Sequence, residues 1–228
     1  MSYTLLIGNK NYSSWSLRPW LLLHAFGVPF TEERHVFDTP EFAAEIQSRK
    51  RSPNGKVPVL VDADVKVWDS LAISEYLAER HTGMWPTDAA ARAHARCACA
   101  EMHSGFQAVR NWMPMNVRRS YPIAVPREDV QKDIDRIQAL WTEARAKFGA
   151  DGEFLYGKFS VADAYFAPVV FRFNSYGVKC SPVAAGYVKA MLDHPSMQQW
   201  IADSNAEREV VDHEEPEHIY SALSQSAP

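Results

Sequence analysis

Cysteine is scarce: the 228 residues hold three, Cys97, Cys99 and Cys180. So sparse and odd a set argues against a disulfide framework and fits a reducing compartment, so a cytoplasmic location is expected. Cys97 and Cys99 stand two apart in a helical stretch and point to different faces, so no metal site is expected there. Long apolar runs are missing as well. None approaches the ~20 residues of a membrane span, and the opening MSYTLLIGNKNYSSW has no basic stretch ahead of a long apolar one. Neither a membrane partner nor a secretory leader is therefore expected. Excess charge of one sign is also lacking. The 24 Lys and Arg against 28 Asp and Glu leave a net −4, with nothing to attract nucleic acid. There are no internal repeats.

What is present is ordinary globular composition, 46% hydrophobic and 23% charged. The length suits one large domain or two modest ones, each able to bury a core. Residues 1–81 mix strands and helices. Residues 3–8 form a compact apolar run and read as a buried strand. A polar turn follows at 9–16, then an apolar helix to residue 26, starting near Ser14 to Ser16 so that Pro19 falls in its first turn. Residues 30–37 alternate as a strand, and 40–50 suit a short helix. Residues 57–61 and 65–68 read as a hairpin, after which Asp69-Ser70 opens a helix.

Residues 82–88 (TGMWPTD) serve as a linker, with Gly83 and Pro86 as breakers. In residues 89–228 strand patterns give way to helical spacing, as in Ala91, Ala95, Ala98, Met102 and Val130, Ile134, Ile137, Trp141. The tail after Ala206 is expected to be loosely ordered at its end. Periodicity supports an α/β domain followed by an all-helical one.

Three segments are suited to chemistry. Val57-Pro58 enters a strand with a residue that cannot donate to the ladder. Either the proline is an ordinary trans edge residue, or the bond is cis and turns the Val57 backbone outward toward an extended ligand. Asp69-Ser70 stands where a strand hands over to a helix. The pair either caps that helix or receives an α-amino acid head group, ammonium on Asp69 and carboxylate on Ser70. Ser13-Ser14-Trp15-Ser16 precedes the first helix. Its hydroxyls either cap the helix or hydrogen-bond a thiolate there.

Together, Ser13-Ser14-Trp15-Ser16, Gly55-Lys56-Val57-Pro58-Val59-Leu60 and Asp69-Ser70-Leu71-Ala72-Ile73 resemble the cytosolic glutathione transferase family. Ser160-Val161-Ala162-Asp163 is similar to that family's capping box, and His194-Pro195-Ser196-Met197 to the entry of its closing helix. The resemblance covers about residues 3–205. The serine motif is most similar to the zeta class, with Trp15 in place of that class's cysteine and Ser175 in place of its helix arginine, Arg172 standing three residues earlier.

The resemblance implies a thioredoxin-like domain over 1–81, the linker at 82–88, and an all-α domain over 89–228 that contributes an electrophile site. It implies that Ser13 or Ser14 bonds the sulfur of glutathione, with Ser13 preferred and Ser14 capping the helix. Val57, ahead of Pro58, would bind the cysteinyl unit, Asp69 and Ser70 the γ-glutamyl end, and Lys56 the glycyl carboxylate. Phe106, Arg110, Trp112, Met113, Met115, Phe166 and Phe173 are candidates for the electrophile pocket, although aromatic and methionine residues at helical spacing also suit a core. Arg110, Arg118 and Arg119 would either favour an acidic electrophile or be solvated or salt-bridged. The implied protein is a homodimeric detoxification enzyme that uses glutathione as co-substrate and no metal. A glutathione-dependent cis–trans isomerase of the maleylacetoacetate type and a non-catalytic glutathione-binding module are the alternatives.

Overall fold

The computed structural model describes residues 3–122 and 126–218. Its four-stranded sheet comprises β1 (Tyr3–Ile7), β2 (Phe30–Arg34), β3 (Val59–Asp62) and β4 (Val65–Trp68), in the order β2-β1-β3-β4. β1 runs parallel to β2, with Tyr3 opposite Phe30, and antiparallel to β3, with Leu5 opposite Leu60. β3 and β4 form the hairpin, whose tip residue Ala63 takes φ +50°. Alternation along β1 divides the core. Leu5 and Ile7 join the large cluster with Leu17, Leu21, Ile73 and Leu77, while Leu6 packs with Phe42, Ile46 and Val59 on the other face.

The first helix, α1 (Ser14–Ala25), contains Pro19 as its sixth residue, not in its first turn as expected. The missing N–H leaves the Trp15 carbonyl without its usual helical donor. Residues 40–47 form a one-turn helix, α2 (Pro40–Phe42), that widens at once into a π turn (Ala43–Gln47). Helix α3 (Ser70–Arg80) ends the strand-containing half.

From Ala89 onward the regular elements are helical: α4 (Ala89–Ser104), α5 (Gln107–Trp112), α6 (Glu128–Phe148), α7 (Val161–Ser175), α8 (Pro182–Asp193) and α9 (Pro195–Ala206). The fold is therefore a thioredoxin-like sheet domain followed by a helical domain. α7 is buried on every side apart from Asn174, so it is the axis of the helical half. Asp163 starts it by accepting the N–H groups of Ser160 (2.8 Å) and Leu155 (3.0 Å). α1 packs on α7, so the helix that opens with the serines lies directly on that axis. Among the described residues no helix is long and apolar enough to cross a membrane.

After α9 the chain returns across the sheet domain. Residues 207–217 pack against the serine turn through the Glu207 carboxylate, and the looseness expected at the tail's end concerns residues beyond them. The last ten residues, 219–228, lie outside the described part.

Candidate functional site

The turn carrying the serines is fixed from below. The Asn9 carbonyl accepts the N–H groups of Tyr12 (3.2 Å) and Ser13 (2.8 Å), and the Asn11 side chain accepts those of Val117 and Arg118 (both 2.9 Å). Ser13, not Ser14, caps α1, and the expected division of labour is reversed on this point. The Ser13 hydroxyl accepts the Ser16 N–H at 3.4 Å and donates to Ser16 Oγ at 2.7 Å. Ser14 is the first helical residue, and among the described residues its hydroxyl makes no hydrogen bond. The physical reason lies in the turn: Ser14 N–H bonds back to Tyr12 O, which places Ser13 at the cap position.

Ser13 and Ser14 open into a cavity of about 930 Å³, bordered also by Lys56, Val57, Arg110, Met115 and Arg172. The Val57-Pro58 bond is cis. The sheet ladder begins at Val59, so Val57 stands outside it and borders the cavity. Ser52 steadies this loop, donating to the Lys56 carbonyl at 2.5 Å and accepting its N–H at 3.0 Å. A second cleft of about 300 Å³ continues from Trp15, Lys56 and Val57 to Pro58, Asp69 and Ser70.

Asp69 has φ +74°, a region costly for a residue with a side chain and most often retained at functional positions. Its Oδ1 caps α3 by accepting Leu71 N–H (2.8 Å) and Ala72 N–H (3.4 Å), while Oδ2 faces the His103 ring at 3.4 Å. Capping belongs to Asp69, and the Ser70 hydroxyl lies 3.0 Å from the Tyr165 hydroxyl. Serine turn, Val57 edge and Asp69-Ser70 thus converge on two adjoining clefts.

The proposed electrophile residues separate. Arg110 and Met115 border the cavity. Phe106, Met113, Phe166 and Phe173 are core residues, and the ring of Trp112 lies under the Arg127 guanidinium, 4.2 Å from its centroid. Helical spacing marks the face that packs, and here that face meets α6: Phe166 and Phe173 lie against Trp141. Arg118 and Arg119 are committed to residues 207–217. Arg172, by contrast, borders the cavity while buried in α7, donating to Met113 O (2.7 Å) and Pro168 O (3.2 Å). Burial, with Arg110 and Arg18 nearby, pushes its guanidinium down to about 9, still cationic at neutral pH. Ser175, where the resemblance places an arginine, is turned to the Asn116 carbonyl (2.8 Å).

His103 and Glu214 are among the wall residues that escaped the sequence reading. His103 borders both clefts. Glu214 reaches the cavity from beyond α9, and its carboxyl is raised by burial. No local signal marks either, because both are delivered by tertiary packing. Among the described residues no cluster of three or more His, Cys, Asp or Glu side chains has metal-binding proximity.

Residues 12–80 match the family model described as Glutathione S-transferase, N-terminal domain. A glutathione transferase homolog from Burkholderia GL BGR1, solved with bound glutathione, superposes with a TM-score of 0.67 at 21% identity, covering 91% of this chain and 100% of that one. This is a glutathione transferase fold. Among curated relatives, a stringent starvation protein A homolog of Pasteurella multocida is 24% identical over 178 residues, 74% of this chain and 78% of that protein. A probable maleylacetoacetate isomerase of Caenorhabditis elegans is 24% identical over 179 residues, 75% of this chain and 81% of that protein. These relatives are similar across most of both lengths.

Proposed function

We propose that the chain is a glutathione transferase that joins the thiol of glutathione to a small electrophile. The observation that carries this reading is the free Ser14 hydroxyl at the start of α1, opening into the same cavity as the Val57 edge and the Arg172 guanidinium. In this reading Val57, beside Pro58, pairs with the cysteinyl unit. Asp69 and Ser70 hold the γ-glutamyl end, and Lys56 meets the glycyl carboxylate. The thiolate rests against Ser14 and the first N–H groups of α1, with Ser13 holding the turn. Its sulfur forms a bond to an electrophilic carbon, and the leaving group departs with the bonding electron pair. The protein contributes proximity and a lowered thiol pKa, while the nucleophile belongs to the co-substrate.

The proposed domains are residues 1–81 for glutathione and 89–228 for the electrophile, joined by 82–88. The resemblance extends to a cytoplasmic homodimer, which sedimentation would test. Arg172 favours a second reading, a glutathione-dependent cis–trans isomerase acting on an acidic substrate, because its cationic side chain borders the cavity that would receive a substrate carboxylate.

The test is ultraviolet titration of glutathione's thiol on the protein, with conjugation to an aromatic halide followed in parallel. A transferase lowers the thiol pKa below its free value and gives a conjugate. Isomerisation of a maleyl-type substrate without net glutathione consumption would select the second reading. Binding with neither a lowered thiol pKa nor turnover would make the chain a glutathione-binding module.

A further inference from the structure

Four polar side chains from both domains meet at the edge of the smaller cleft, where His103, Tyr165 and Ser70 are joined by hydrogen bonds and the Asp69 carboxylate stands beside the free side of the His103 ring. Asp69 Oδ2 lies 3.4 Å from His103 Nε2, His103 Nδ1 lies 3.0 Å from the Tyr165 hydroxyl, and that hydroxyl lies 3.0 Å from Ser70 Oγ. Ser70 and Tyr165 are fully buried or nearly so, whereas Asp69 and His103 keep one side open to the cleft. Asp69 Oδ1 is occupied by the start of α3, so Oδ2 is the oxygen left for a ligand.

Such a chain can run in two directions. In one, Nε2–H faces Asp69, the Tyr165 hydroxyl donates to Nδ1, and the Ser70 hydroxyl donates inward to Tyr165. In the other, Nδ1–H donates to the Tyr165 oxygen and Tyr165 donates to Ser70. The Ser70 hydrogen is then free to point into the cleft. Nε2 then presents a lone pair beside Asp69 Oδ2, and an ammonium can donate to both. One proton moves from Nε2 to Nδ1 through solvent and the hydroxyls turn, so the total proton count is unchanged.

The second direction has acceptors at one end and a donor at the other, the complement of a zwitterionic α-amino acid. We propose that His103 is a binding residue for the ammonium of the γ-glutamyl head group, acting in its neutral form, and that Tyr165 is the positioning residue that turns the Ser70 hydroxyl toward the head group's carboxylate. This assignment rests on the glutathione reading and adds two residues of the helical domain to the site.

The imidazole is faced by Asp69 from the start of α3, Arg18 from α1, Arg110 from α5 and Tyr165 from α7, with the Trp15 ring edge-on at 5.5 Å. Burial lowers its pKa, Asp69 raises it, and Arg18 and Arg110 lower it further, so the ring is neutral at neutral pH. Protonation removes the lone pair and places a cation beside the ligand's ammonium. Affinity for the head group is therefore full above the imidazole pKa and falls as pH drops through it.

The test is calorimetric titration of the full chain with glutathione and with its des-amino analogue, which keeps the carboxylate and lacks the ammonium, at about pH 7.5 and about pH 5.5. The wild type should bind glutathione more weakly at the lower pH, and the analogue with little pH dependence. His103→Phe should bind glutathione about tenfold more weakly at the higher pH, lose the difference in pH response, and bind the analogue as the wild type does. Tyr165→Phe keeps the ring packed and removes only the hydroxyl, so it should weaken both ligands. Unchanged glutathione affinity in His103→Phe, or equal loss of both ligands in that variant, would overturn the assignment while leaving the glutathione reading intact. Failure of the wild type to bind either ligand would overturn both.

Discussion

At the scale of single residues, the serine pair divides its work between holding a turn and offering a hydrogen. Ser13 spends its hydroxyl on the helix cap and on Ser16, whereas Ser14 is left with none of these duties. One pKa unit corresponds to about 1.4 kcal/mol, and a hydrogen bond to a charged group contributes about 1.5–3 kcal/mol. Ser14→Ala should therefore raise the bound thiol's pKa by about one to two units and slow conjugation near neutral pH. Ser13→Ala should lower the denaturant midpoint, with about 0.5–2 kcal/mol of cap stability lost. Ultraviolet titration and urea unfolding of both variants separate the roles, and a thiol shift confined to Ser13→Ala would return the sulfur contact to Ser13. A similar separation holds for Ser70, since Asp69 is the cap of α3. Ser70→Ala should cost about tenfold or more in glutathione affinity while the cap of α3 stays in place. Unchanged calorimetric affinity would limit Ser70 to packing.

At the scale of elements, α7 carries the helical half and Asp163 carries its start. Replacing Asp163 with alanine leaves the N–H groups of Leu155 and Ser160 buried without an acceptor, each costing about 1–3 kcal/mol. Asp163→Ala should therefore lose at least about 2 kcal/mol in urea unfolding. Burial also pushes the Asp163 carboxyl up to about 6. An acid whose folded pKa lies above its unfolded value contributes stability that is complete at low pH and lost as pH rises through the folded value. The wild-type midpoint should carry a downward component between about pH 4 and about pH 6, and Asp163→Asn should remove it. A wild-type profile parallel to that of Asp163→Asn would contradict the raised carboxyl.

The elements themselves were legible because they obey local rules. A compact apolar run marks β1, alternation marks β2, breakers mark the loops, and the Ser160–Asp163 spacing marks the entry to α7. Pro19 was misplaced because burial against α7 holds α1 together through a lost backbone hydrogen bond, a tertiary effect that propensity does not show. Asp69 and Ser70 were readable as a pair because the strand-to-helix junction fixes them locally. His103 and Arg172 were not, since each reaches its cleft only after α4 and α7 have packed on the sheet domain. The aromatic candidates were drawn inward by the same periodicity that nominated them, which reports burial and not which side of the helix meets a ligand.

At the scale of the molecule, residues 207–217 join parts of the site that are far apart in sequence. The Glu207 carboxylate accepts the N–H groups of Lys10 (2.7 Å) and Asn11 (3.2 Å), just ahead of the serines. Arg118 donates to the carbonyls of Glu207 and Glu209 and to the Tyr12 hydroxyl. Glu215 is buried where it accepts from Tyr12 (2.5 Å), Tyr121 (2.9 Å) and Asn116 (3.1 Å) and pairs with Arg119 (3.1 Å). Its neighbours His213 and Glu214 border the cavity, so this segment is both a fastening and a wall. Because Glu215 is shielded from water, its contribution should persist at high salt, unlike that of the exposed Lys132–Glu128 pair. Glu215→Ala strips an acceptor from four side chains at once, those of Tyr12, Tyr121, Asn116 and Arg119, and should destabilise the fold by about 1–3 kcal/mol or more. It should also loosen the wall, raising KM for the electrophile more than it lowers kcat, because Ser14 and the start of α1 stay in place. Glu215→Gln, which keeps one acceptor oxygen, should recover part of both losses. Steady-state kinetics at low and high salt, with urea unfolding of the same samples, give the comparison. Unchanged KM in Glu215→Ala would show that the segment fastens the fold without shaping the electrophile pocket.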